Sequence, residues 1–132
     1  MFYKIAWLAI AGAAGTISRY GLTRLIQKSN GTSLPWETML VNLAGCFIAG
    51  LLLILFEQRW SWSGEARVLV MIGFIGSFTT FSSLILETND LFNSGGWIHA
   101  AANLLIHNGM GIVILLAGIR VGRMIAHFWD HV

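Results

Sequence analysis

Apolar residues fall into four long runs separated by short polar stretches. The second run, Thr38 to Phe56, is 19 residues without a charge. As a helix it extends about 28 Å, close to the roughly 30 Å of a bilayer's hydrocarbon core. The third, Val68 to Leu86, is also 19 residues and uncharged. The fourth, Ile98 to Ile119, holds only His99 and His107 as titratable groups. The first is less clean, because Ile5 to Ser18 is apolar but reaching Ile26 takes in Arg19 and Arg24. A cleaved signal peptide is the rival reading of that run, with Lys4 ahead of it and small residues inside it. No clear cleavage site precedes Arg19, and apolar character resumes after it. The pattern predicts an all-α membrane protein, a single domain over 1–132 with four transmembrane helices at about 5–26, 38–56, 68–86 and 98–119.

The connections are too short for a soluble domain. Residues 27–37 hold Lys28, Asn30, Gly31 and the only proline, Pro35. Residues 57–67 carry Glu57, Arg59, Glu65 and Arg67, with Trp60 and Trp62 suited to the membrane interface. Residues 87–97 carry Glu87, Asp90 and the Gly95–Gly96 pair, and a tail from Arg120 carries Arg123, His127, Trp129 and His131. Three connections place both termini on one side. Composition agrees: of 132 residues 56% are hydrophobic and 11% charged, against about a quarter charged in a soluble domain. A formal charge of +2 with scattered Lys and Arg excludes a nucleic-acid partner. The lone Cys46 offers neither a disulfide nor a cysteine metal site. With the termini inside, five basic residues (Lys4, Arg59, Arg67, Arg120, Arg123) face two outside, Arg24 and Lys28. That bias is weak under the positive-inside rule, so one orientation and insertion in both orientations stay open.

Small residues supply packing surfaces, since lipid is as apolar as leucine and helices in it associate by close approach. Gly12 and Gly15, Gly45 and Gly50, and Gly109, Gly111 and Gly118 serve this purpose, in more surfaces than one four-helix unit can satisfy, so an oligomer is expected. The third run differs. Gly73 to Ser83 contains two glycines, three serines and two threonines, and irregular backbone at that depth is tolerated only where it is buried or lines a cavity. Freed carbonyls there can hold a small cation and hydroxyls can replace water around an ion; the alternative is hydroxyls that bond back to their own helix and bend it. Asn42 is either a donor into a pore or an interhelical hydrogen bond. Arg19 is a functional candidate by its depth. Asn103, His107 and Asn108 form a polar face on the fourth helix, with Asn103 and His107 spaced i, i+4. No acidic residue lies within any predicted span, which counts against a proton-coupled exporter. No nucleophile–base pair or metal-ligand cluster is visible, so an enzyme is not expected.

The chain resembles the CrcB/Fluc fluoride channels over essentially its whole length. The resemblance rests on Gly12-x-x-Gly15-x-x-x-Arg19-Tyr20, Val41-Asn42-Leu43-x-Gly45 and Gly76-x-x-Thr79-Thr80-Phe81-Ser82. It implies an antiparallel dual-topology homodimer in a prokaryotic plasma (inner) membrane, with two pores that pass fluoride passively out of the cell and so protect against its toxicity. It also implies a third helix broken near the midplane and a central sodium ion held there by backbone carbonyls of Gly76 and Thr79 of both subunits, with Asn42 donating its amide to fluoride and Phe81 offering its ring edge. Thr80, Ser82 and Ser83 join the pore set as hydroxyls, and Arg19 stands at the anion vestibule. Many weak donors suit a small, strongly hydrated anion, because they attract it without locking it in place.

Three departures from the family pattern stand out. Leu84 occupies the place where a second phenylalanine usually follows Phe81. The second ring contact is then absent, or Phe78 contributes instead; absence is favoured because Phe78 lies at a different height. Ser83 stands where threonine is common, and Asn103, Asn108 and Gly111 replace a serine-bearing face. The competing functions are a small multidrug-type exporter, which needs a buried glutamate in the first helix, and a non-transporting helical subunit of a larger membrane complex.

Overall fold

The computed structural model describes residues 2–27, 35–58 and 63–129. Lys28, Asn30, Gly31, Arg59, Trp60, Trp62 and His131 lie outside them. All regular structure among the described residues is helical: α1 (Phe2–Gln27), α2 (Trp36–Gln58), α3 (Gly64–Val68), a π-type segment (Leu69–Ile75), α4 (Gly76–Phe78), α5 (Phe81–Asn93) and α6 (Trp97–Trp129). Three stretches are long and apolar enough to cross a membrane: Trp36–Gln58, Gly64–Asn93 and Trp97–Trp129. The 26 residues of α1 reach about 39 Å, but Arg19, Arg24 and many small residues make it less apolar than those three. Arg24 turns back along the helix, its Nε donating to Tyr20 Oη at 3.0 Å and its guanidinium 5.3 Å from that ring.

Two parallel helix pairs organise the chain. In the first, α2 and α6 meet through backbone: a Cβ on Gly50 would land on the Leu115 carbonyl, and one on Gly118 would land on that of Phe47. One turn further, a Cβ on Gly122 would sit 3.0 Å from the Leu51 carbonyl. In the second pair, α1 runs beside the third span. Lys4 pairs with Glu65 at its start, a Cβ on Gly73 would lie 2.8 Å from Ala11 Cβ, and one on Gly15 would strike the Phe74 carbonyl. Each pair advances in step along both partners, which brings the start of α1 and the end of α6 to the same end of the molecule. Such contacts carry association where no hydrophobic difference separates helix from lipid.

Helix ends depart from the sequence expectation in two places. The third span continues past Leu86 to Asn93 and stops at Gly95, whose φ of +81° is the left-handed geometry glycine adopts without strain. Gly96 N–H then reaches back to the Leu91 carbonyl and Gly95 N–H to that of Phe92, both at 3.0 Å, the paired closure of a Schellman motif. Glu87 alone is no helix breaker, so the run of uncharged residues ended before the helix did. The residues from Arg120, expected as a tail, continue α6 to Trp129. That helix of 33 residues spans about 50 Å, well beyond the hydrocarbon core.

Candidate ion site at the helix break

The third span breaks at two consecutive extended residues, Thr79 (φ −86°, ψ 156°) and Thr80 (φ −148°, ψ 117°). The hydroxyls among Ser77 to Ser83 make this possible by standing in for helical partners. Thr79 closes the turn before the break, its N–H and its Oγ1 both donating to the Ile75 carbonyl at 3.0 Å. Thr80 opens the turn after it, with Oγ1 accepting Ser83 N–H at 3.3 Å as an N-cap. The same hydroxyl lies 3.1 Å from Ser82 Oγ and 3.2 Å from Ser83 Oγ. From α2, Asn42 grips the Thr80 peptide on both sides: its Oδ1 accepts Thr80 N–H at 2.8 Å, and its Nδ2 donates to the Thr80 carbonyl at 3.0 Å. Gly45, one turn on, leaves the room the break needs, since a Cβ there would collide with the Thr79 methyl.

Diverting these donors changes the acceptors. In an unbroken helix Thr80 N–H would meet the Gly76 carbonyl and Ser83 N–H that of Thr79. Here they serve Asn42 and the Thr80 hydroxyl, so both carbonyls lose their helical partner. Hard cations prefer oxygen ligands, so two such carbonyls suit one. No cluster of three His, Cys, Asp or Glu side chains that could hold a metal occurs among the described residues.

The pore residues expected from the sequence do not share one surface. Phe81 is 69% exposed and Ser82 is exposed beside it, on the outside of the chain. Phe78 is buried and stacks on Phe74, centroids 6.0 Å apart at 7°. Leu84 is buried as well, so it does not stand beside Phe81. On α6, Asn103 and His107 are buried and face α2 and α5. Asn108 is exposed and donates to its own helix at the Leu104 carbonyl, 2.7 Å away. The polar face drawn over all three therefore divides, because positions 107 and 108 point about 100° apart around a helix.

Arg19 lines an open cavity of about 320 Å³ between α1, α2 and α5, together with Thr16, Thr38, Thr80, Ser83 and Glu87. Within the described residues Arg19 Nε and Glu87 Oε2 are buried without a hydrogen-bond partner, while Glu87 Oε1 accepts from the Thr38 hydroxyl. The expectation of spans free of acidic residues is thus corrected: Glu87 sits on α5, half-buried at the cavity. Its signal was the i, i+3, i+7 spacing of Thr80, Ser83 and Glu87, one face of a helix once α5 extends past Leu86. Thr88 was missed too; it accepts from Asn103 Nδ2 at 2.9 Å.

A family model described as CrcB-like protein, Camphor Resistance (CrcB), matches residues 6–119. A protein of Desulforapulum autotrophicum named fluoride-specific ion channel FluC is 49% identical over 125 residues, covering 95% of this chain and 100% of that protein. Proteins of the same name from Nitrosococcus oceani and Solidesulfovibrio magneticus are 42% and 39% identical over 125 residues, with the same coverage.

Proposed function

The chain belongs to the CrcB-like protein family, and on that premise we propose that it is a fluoride-selective ion channel, not an enzyme, passing fluoride passively out of the cell. The observation that carries the reading is the break at Thr79–Thr80, held open by Asn42 and ringed by hydroxyls, in a chain whose relatives bear that channel name over their full length. A path for a small, strongly hydrated anion needs such weak donors in series.

The finer features belong to the same proposal. The pore forms at an antiparallel interface between two copies in a prokaryotic inner membrane, α1 serving as the fourth span. The outward-facing Phe81 and Ser82 favour this, since a single chain leaves both at its surface. Phe81 offers fluoride the positive edge of its ring, and Ser82 offers its hydroxyl. The Gly76 and Thr79 carbonyls of both copies would hold a sodium ion, which supplies a fixed positive potential for an anion. Arg19 sits at the cavity as a cation at the mouth of the path. Asn42 acts through the backbone: its amide hydrogens go to the Thr80 carbonyl and to His107, so it shapes the break. Glu87 restores the acidic group a multidrug-type exporter would need, but it sits on the third span, not on the first helix where that reading requires it.

Efflux from liposomes loaded in parallel with fluoride and chloride tests the proposal. Purified protein should release fluoride rapidly and retain chloride. Equal release of both ions, or none of either from correctly assembled protein, would sink it.

A further inference from the structure

The hydrogen bonds behind Asn42 run on through α6 to α5, and their directions can be assigned from the two ends. At the break, the Thr80 peptide fixes the Asn42 amide: a backbone N–H requires Oδ1 opposite it, and a carbonyl requires Nδ2. The second Nδ2 hydrogen then points at His107 Nε2, 3.3 Å away, which must be a bare acceptor. At the far end, the Thr88 hydroxyl donates to the Leu84 carbonyl at 2.7 Å. Its oxygen is left to accept from Asn103 Nδ2 at 2.9 Å, so Asn103 Oδ1 faces His107 Nδ1 at 3.4 Å. A carbonyl oxygen there requires the proton on Nδ1. Both ends demand the same state of the ring: neutral, with Nδ1 protonated and Nε2 bare.

We propose that His107, in this one tautomer, is a positioning residue that holds Asn42 against the Thr80 peptide, and that protonating its Nε2 releases the break and lowers ion passage. A protonated Nε2 is a donor facing a donor. Its hydrogen goes either to the Thr38 carbonyl, which also faces the ring from α2, or to Asn42. Asn42 can accept it only by turning its amide over, which sets Nδ2 against Thr80 N–H and Oδ1 against the Thr80 carbonyl. Both grips on the break are then lost together. Among the described residues no charged group meets the ring itself. The ring meets Asn42 and the Thr38 peptide from α2, and Asn103 from its own helix. The titratable groups that the packed elements bring to this level are Cys46 of α2, beside Gly111, and Glu87 of α5, tied to the Thr38 hydroxyl. The flux part of the inference rests on the channel reading; the tautomer does not.

Two measurements on the full chain in lipid bilayers test it. Nitrogen-15 NMR of histidine-labelled protein, with His107 assigned by the signal lost in His107→Gln, should show Nδ1 protonated and Nε2 bare at neutral pH. The opposite tautomer overturns the relay whether or not the protein conducts. Fluoride efflux across a pH series, corrected by protein-free vesicles for the leak of neutral HF, should fall about tenfold as His107 becomes protonated, the scale of broken interhelical hydrogen bonds in a bilayer. His107→Leu should lose flux at every pH. His107→Gln, whose amide oxygen can accept from Asn42 and does not titrate, should rescue most of it and flatten the acid limb. An acid limb that persists in His107→Gln and vanishes in Glu87→Gln overturns the proposal, as does a flat profile in the wild type. A wild type that releases no fluoride at any pH strikes the channel reading alone, because the tautomer read from the labelled histidine still decides the relay.

Discussion

Two stretches of α2 meet their neighbours in opposite ways. Around Gly50 the contact is close and apolar: the backbone of α2 lies against that of α6, and the residues brought together there are Phe47, Leu51, Leu115 and Ile119. Two turns earlier, at Asn42, the contact is polar, reaching the peptide of a broken helix on one side and a histidine on the other. The first seam excludes any added atom and gains from close packing alone. The second depends on every donor keeping its acceptor, since unpaired backbone groups at membrane depth are costly. One helix thus carries a stiff support and an adjustable grip, and the irregular backbone sits where the grip is.

This contrast can be broken most severely at the apolar seam. Gly118→Leu drives a side chain into the Phe47 carbonyl and should destabilise the fold by about 3 kcal/mol or more, read as lost monodispersity and a lower unfolding temperature in detergent. Gly109→Ala, where a Cβ meets nothing, is the control and should leave both unchanged. At the polar seam, Asn42→Ala leaves the Thr80 N–H and carbonyl unpaired, a loss of about 1–3 kcal/mol. The helices should still assemble while liposome fluoride flux falls steeply. Equal damage to assembly and flux would erase the distinction between the two seams. Gly45→Ala drives a Cβ into the Thr79 methyl, which the Oγ1 bond to Ile75 holds in place, and should cost about 1–3 kcal/mol with a moderate drop in flux. Asn108→Ala removes only a bond to its own helix and should change stability by no more than about 0.5 kcal/mol, with flux preserved.

Much of this arrangement was legible beforehand, for reasons that differ between elements. The break announced itself through hydroxyl and glycine residues gathered where a continuous apolar helix would be simplest. The extension of α5 to Asn93 did not, because reading a span by its lack of charge stops at Glu87 while a helix stops only at a residue such as Gly95. The same habit cut α6 at Ile119, although Gly122 is the one poor helix former from Arg120 to Trp129 and it serves the contact with α2. Asn108 looked equivalent to His107 because neighbours in sequence share polarity, but one residue of rotation separates a buried side chain from an exposed one.

The sequence by itself determined the helical class, the apolar runs long enough to cross a bilayer, the glycines that let helices touch and the position of the break. These are local properties, set by runs of residues and by backbone preferences. The tertiary structure alone decided what each polar group faces. Asn42 meets Thr80 across 38 residues and His107 across 65, and Thr38 meets Glu87 across 49. Hydrogen bonds over such separations leave no periodicity in the chain; they follow from which helices pack together and from the rotation each takes against its neighbour.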